Sequence, residues 1–497
     1  MKKILFLLLL VATTATAQPA WNERPRLVVG IVVDQMRWDY LSRYYDRFTD
    51  DGFRRLTDKG YSFNNCLINY IPTVTAIGHA SVYTGSTPAF HGICGNDFRI
   101  DGKPVYCCQD DNVNTVGSDN KSGKRSPRNM LATTIGDQLR LHTDFKSKVI
   151  GVSYKDRAAI FPAGHSANAA YWLDTHNLRF ITSTYYMDRL PEWVNRQNEQ
   201  LASDKEVQKA GKDIGLTPLC GTVITDMAIA ALENEKLGQG EITDMLCVSY
   251  SETDVIGHKY GTRGTLTDEA YLQLDRDLAR LFQALDSKVG KGQYLLFLTA
   301  DHGGAHNPEF MQENRLPAGR WNADNLIERM NNKVKEAFGC TDKTVFNANS
   351  GRIFLDHNAI SCQHLNLQQV KDTLVAFLRG HEHLEFVVDF EKAATQSLPA
   401  IIRDRALMGY HYRRSGDLLY VPEPQWLDAG AWMSPTGTTH GEWNPYDAHI
   451  PMLFYGWHVP QGNSSEEVHI TDIAPTVCQM LRIQQPNACV GEARAFK

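Results

Sequence analysis

Five short apolar runs constrain this chain more than any other feature: Leu27 to Val33, Val149 to Ser153, Met245 to Ser249, Tyr294 to Thr299 and Pro451 to Tyr455. Amphipathic stretches of helical period separate them. Such alternation is the pattern of an α/β protein with a mostly parallel central sheet flanked by helices on both faces. The stretch after the first run places Trp38, Leu41, Tyr45 and Phe48 on one side of a helix. A longer helix opens at Thr267 as N-cap, followed by Asp268 and Glu269, and carries Tyr271, Leu274, Leu278, Leu281, Phe282 and Leu285 at core-facing spacing. From about residue 305 to 435 the strand rhythm breaks, which predicts an insertion capping the core.

With 42% hydrophobic and 22% charged residues in 497, the chain has the balance of a folded protein. Lys plus Arg number 51 against 57 Asp plus Glu, so no bulk attraction to nucleic acid or to an anionic membrane is expected. An anionic substrate must then be captured locally. Residues 1–17 read as a cleaved signal peptide: Lys2 and Lys3, an apolar run from Ile4 to Val11, then small residues up to Ala17. This predicts a periplasmic or secreted catalytic chain over 18–497, acting as a monomer without a stable membrane anchor. In an oxidising compartment the ten cysteines could pair, with Cys340–Cys362 and Cys478–Cys489 the local options, but spacing does not fix connectivity.

Chemistry gathers where these strands end. The first run leads into Asp34, the third to Asp254 and His258, the fourth to Asp301 and His302; Thr438-Thr439-His440-Gly441 adds a further histidine. Each alone is an ordinary cap or turn residue. Together, oxygen and imidazole donors without thiolate suit zinc, and three carboxylates with three histidines suit two ions. A loop running into a helix places Thr75 where free N–H groups and the helix dipole favour an anion. The basic stretch Gly117 to Arg128 reads as a solvated loop.

On these motifs the chain resembles the alkaline phosphatase superfamily, in its threonine-nucleophile branch of phosphate-irrepressible alkaline phosphatases, related to nucleotide pyrophosphatase/phosphodiesterases. Thr75 and Asn96 match that branch's nucleophile and phosphate-contacting asparagine. The resemblance implies two zinc ions per chain, one held by Asp254, His258 and His440, the other by Asp34, Asp301, His302 and the oxygen of Thr75. His449 is the rival for His440, which is favoured because a glycine follows it; His79, His165 and His306 are read as supporting residues. Lys155 and Arg157, after the second run, match the pair that contacts phosphoryl oxygens. The implied activity is hydrolysis of small phosphate monoesters through a phosphothreonine, releasing inorganic phosphate. The alternative is a phosphodiesterase on the same two-zinc site; a sulfatase would need Cys or Ser where Thr75 stands.

Overall fold

All five runs are strands of one eleven-stranded sheet, the third extended to Asp244–Tyr250 and the fifth moved one residue on to Met452–Gly456. The computed structural model describes residues 23–321, 325–428 and 433–497, so the leader expected over 1–17 lies outside them. The sheet runs His449–Ile450, Tyr61–Leu67, Met452–Gly456, Tyr294–Thr299, Leu27–Val33, Asp244–Tyr250, Val149–Ser153, Ala169–Asp174, Arg179–Ser183 and Thr115–Val116, with Gly462–His469 also on Tyr61–Leu67. From Tyr294–Thr299 to Ala169–Asp174 the neighbours are parallel. The Met452–Gly456 and Arg179–Ser183 flanks pair antiparallel. The sheet is therefore mixed, with the expected parallel order at its centre.

Every residue of Leu27–Val33 is buried, because helices cover both faces. A Cβ on Gly30 would fall on Tyr83 of the helix Thr75–Thr84, whereas Leu27, on the other face by strand alternation, lies against Gly238 and Val289. Those two follow the helices Leu219–Asn234 and Thr265–Lys288. In the latter the predicted apolar stripe is buried throughout, each large side chain contributing about 1.5–3 kcal/mol by leaving water. The N-cap is Gly264 rather than Thr267, whose hydroxyl donates to the Gly261 carbonyl from within the first turn. The stretch after the first strand forms only the turn Tyr40–Arg43 and a 3₁₀ turn, Tyr45–Arg47. Its inward face carries Tyr40 and Tyr44 in place of Trp38 and Tyr45, because both rings pack on Tyr271 of the long helix.

Register aligns the strand ends. Val33 pairs with Tyr250, Val32 with Thr299 and Ser153 with Ser249, so the segments carrying Asp34, Asp254, Asp301 and Lys155 all leave the sheet at its carboxyl edge. Between Thr299 and Met452 the chain builds a separate antiparallel sheet of Val345–Asn349, Arg352–Leu355, Leu418–Pro422 and Leu384–Asp389. This sheet has its own apolar core, including Met330, Val334, Ile353 and Leu374. None of the ten cysteines is bridged. Among the described residues no single helix is long and apolar enough to cross a membrane.

Candidate active site and metal centre

Asp254 and His258 stand one turn apart on the helix Glu252–Tyr260, and His258 Nε2 lies 3.2 Å from Asp254 Oδ1. His440 approaches the same oxygen, Nε2 at 3.6 Å. In both rings Nδ1 is tied to a backbone carbonyl, Thr438 at 2.9 Å and Thr73 at 2.7 Å. A carbonyl only accepts, so Nδ1 carries a proton and Nε2 is the nitrogen turned toward the carboxylate. Burial holds His440 well below the ordinary imidazole value, so it is neutral and opposes a lone pair to the carboxylate oxygen. Lone pairs facing one another are stabilised by a cation between them, and a carbonyl behind each imidazole is the usual support of a metal ligand.

A second group shares Asp254. Ligand atoms of Asp34, Asp254 and His302 all lie within 4.8 Å of one another. His302 Nε2 is 3.5 Å from Asp34 Oδ1, from Asp301 Oδ2 and from Thr75 Oγ1. Asp301 stands beside the group, its Oδ1 accepting the backbone N–H groups of Gln35 and His302. Among the described residues Asp34 Oδ1 and Asp301 Oδ2 are buried acceptors without a hydrogen-bond partner, which is costly unless a cation is bound. Burial, reinforced by Asp301, pushes the Asp34 carboxyl up to about 8 despite the nearby Lys155. Both groups thus fit divalent ions with oxygen and imidazole donors.

Lys155 Nζ lies 2.7 Å from Asp34 Oδ2 and 2.6 Å from Asp254 Oδ2, so its ammonium bridges the two carboxyl groups. Arg157 lies beyond it, with Nη1 donating to the Tyr106 hydroxyl at 3.1 Å and a buried Nε without an acceptor among the described residues. Thr75 is the first residue of its helix and is buried. The helix presses on the strand end: a Cβ on Gly78 would fall on the Asp301 carbonyl oxygen, so glycine permits the approach that brings Thr75 to His302. Asn96 Oδ1 accepts the N–H of Ala76 at 3.0 Å, which places this side chain at the same helix end.

The remaining histidines separate by their partners. His449 bonds to Asn64 O and stacks on Trp38, outside both groups. His165 meets Ala132 O and His306 meets Thr262. His79 touches the centre, Nδ1 being 3.2 Å from Asp301 Oδ2. Sequence reasoning passed over Gln35, which adopts a left-handed φ of 61° and donates from Nε2 to Asp254 Oδ1 at 2.8 Å. It also passed over the wall of a cleft of about 480 Å³ beside His258 and His440, where Asn349, Ser350, Tyr420, Asp428 and Glu442 line the space. A glutamine after a strand-end aspartate carries no pattern, and the wall residues come from segments far apart in the chain.

The sequence pattern of the family described as type I phosphodiesterase / nucleotide pyrophosphatase matches residues 28–445. A Myroides odoratus protein named calcium-transporting ATPase is 43% identical over 94% of each chain. Alkaline phosphatase PafA of Elizabethkingia meningoseptica is 42% identical, again over 94% of each. The crystal structure of wild-type alkaline phosphatase PafA aligns with a TM-score of 0.91 at 42% identity, covering 95% of this chain and 98% of that one.

Proposed function

The chain belongs to the type I phosphodiesterase / nucleotide pyrophosphatase family, and from that premise we propose that it is an alkaline phosphatase, a phosphoric monoester hydrolase working through a phosphothreonine. The observation that carries this reading is the place of Thr75, its Oγ1 at the positive end of a helix and 3.5 Å from His302 Nε2, beside two clustered Asp/His groups. Asp254, His258 and His440 would hold one zinc ion, and Asp34, Asp301, His302 and Thr75 Oγ1 the other. Bound there, such ions lower the pKa of a ligated hydroxyl and offset negative charge on a departing oxygen.

Thr75 Oγ1 attacks phosphorus opposite the ester oxygen, forming the phosphothreonine as the bond to the leaving alcohol breaks. Water then attacks from the vacated side, releases inorganic phosphate and restores the hydroxyl. Asn96, Lys155 and Arg157 steady the nonbridging oxygens. Two cations match the two charges of a monoester dianion, whereas a diester brings one charge and a second bulky group. The segment from about 305 to 435 caps the site and meets the leaving group, as the cleft wall of Asn349, Ser350 and Tyr420 supports. Residues 1–17 direct the chain to the periplasm or medium.

The family description also covers diesterases, so the decisive experiment is the ratio of rates on an aryl phosphate monoester and a bis-aryl diester. Wild type should favour the monoester strongly, and joint replacement of Lys155 and Arg157 by alanine should collapse that preference. A diester preference in the wild type would replace this reading with the diesterase one.

A further inference from the structure

The basic stretch Gly117 to Arg128 is not merely solvated. Arg125 turns inward: its Nε donates to Asp156 Oδ2 at 2.8 Å, and its guanidinium carbon stands 4.8 Å from the centre of the Tyr106 ring. The Tyr106 hydroxyl donates to the other carboxylate oxygen, Asp156 Oδ1, and accepts from Arg157 Nη1. Asp156 Oδ1 also receives the backbone N–H of Arg157 at 2.6 Å. Three segments distant in sequence therefore converge behind one guanidinium.

The arrangement resolves an electrostatic problem. Asp156 is the covalent neighbour of Arg157, and its Oδ1 lies 4.0 Å from Arg157 Nη1. A carboxylate so close, left without other partners, would swing onto the guanidinium and neutralise the charge a phosphoryl group needs. Instead both its oxygens are engaged, one by a cation and one by a phenol. Arg157 Nη1 donates to a neutral hydroxyl, and its buried Nε has no acceptor among the described residues. The Arg125 guanidinium on the ring face also restrains Tyr106.

We propose that Arg125, Asp156 and Tyr106 form a positioning relay that fixes the Arg157 guanidinium and preserves its charge for the phosphoryl dianion. None of the three touches substrate. The proposal rests on the reading of Arg157 as a phosphoryl contact, and it gives the basic loop an indirect part in anion recognition.

The test uses the full metal-loaded chain with an aryl phosphate monoester, a bis-aryl diester and inorganic phosphate as inhibitor, in Tyr106→Phe, Arg125→Met, Arg157→Ala and the two double variants that include Arg157→Ala. The single relay variants should lower monoester kcat/KM and weaken phosphate inhibition about tenfold, as coupled neighbours do, with the diester rate changed less than about twofold. On the Arg157→Ala background they should do nothing further. An undiminished effect on that background, or equal losses on both esters, overturns the relay. If Arg157→Ala itself leaves phosphate inhibition and the ester ratio intact, the phosphoryl role of Arg157 fails first and the relay falls with it. Thermal melts accompany each variant, and Arg125→Met, at a side chain that is 25% exposed, carries the test should Tyr106→Phe unfold.

Discussion

The Nδ1 atom of His79 lies 2.9 Å from the carbonyl oxygen of Thr75, one helical turn before it. The same nitrogen is 3.2 Å from Asp301 Oδ2, and the far side of the ring meets the Ser249 hydroxyl at 2.8 Å. With its proton on the Thr75 carbonyl, Nδ1 leaves Nε2 to accept from Ser249. One buried ring thus ties the helix of Thr75 to a central strand and stands against Asp301.

Replacing His79 by Gln should therefore lower kcat and metal retention together, by about 10- to 100-fold in activity, as loss of a ligand's supporting partner commonly does. Steady-state rates with metal content per chain check this. Unchanged kcat would leave His79 only a packing role.

Thr75→Ala should lower monoester turnover at least about a thousandfold, since it removes the attacking oxygen while leaving the binding groups in place. Thr75→Ser keeps the oxygen and should retain much of the rate. Intact-mass measurement after acid quench should find a phosphoryl adduct on wild type and none on the alanine variant. Turnover by the alanine variant at the wild-type rate would remove Thr75 from the chemistry.

What could be read from the sequence had a local physical signature. Asp34, Asp254, Asp301 and His302 were legible because each follows an apolar run, and strands in register deliver their ends to one edge. The stripe from Tyr271 to Leu285 was legible because its period is sustained within one helix of 24 residues. The turn after the first strand was not: with so few residues, partners elsewhere decided which aromatic rings face inward, and Tyr271 selected Tyr40 and Tyr44. The second sheet also escaped, since Val345–Asn349 is mostly half-exposed and Arg352–Leu355 is only four residues long. Arg125 appeared solvated because its partners, Tyr106 and Asp156, belong to other segments.

Chelation should abolish hydrolysis of an aryl phosphate, and added zinc should restore it at two ions per chain. Asp34 Oδ1 and Asp301 Oδ2 are buried without a hydrogen-bond partner among the described residues, so on this reading a bound cation would offset their burial. Zinc at a hundred times its dissociation constant should accordingly stabilise the fold by about 2.7 kcal/mol per site, visible as a raised melting temperature. Activity indifferent to chelator would end the two-metal reading.

His91 supplies a pH test away from the candidate metal centre. Its Nδ1 accepts the N–H of Ile93 at 3.1 Å, so Nε2 carries the proton and donates to the Ser81 hydroxyl. Protonating Nδ1 would set two donors against each other in a fully buried place, and burial lowers its pKa to about 3. The folded value is below the unfolded value of about 6.5, so the stability contributed by neutral His91 is complete above that pH and declines as acid protonates the unfolded chain. At pH 5 the loss should be about 2 kcal/mol. His91→Asn keeps an acceptor for Ile93 and cannot titrate. Denaturant unfolding of both proteins between pH 8 and pH 5 should show the variant less stable at pH 8 and the gap narrowing on acidification; parallel curves would mean that His91 takes up its proton in the folded state as readily as in the unfolded one.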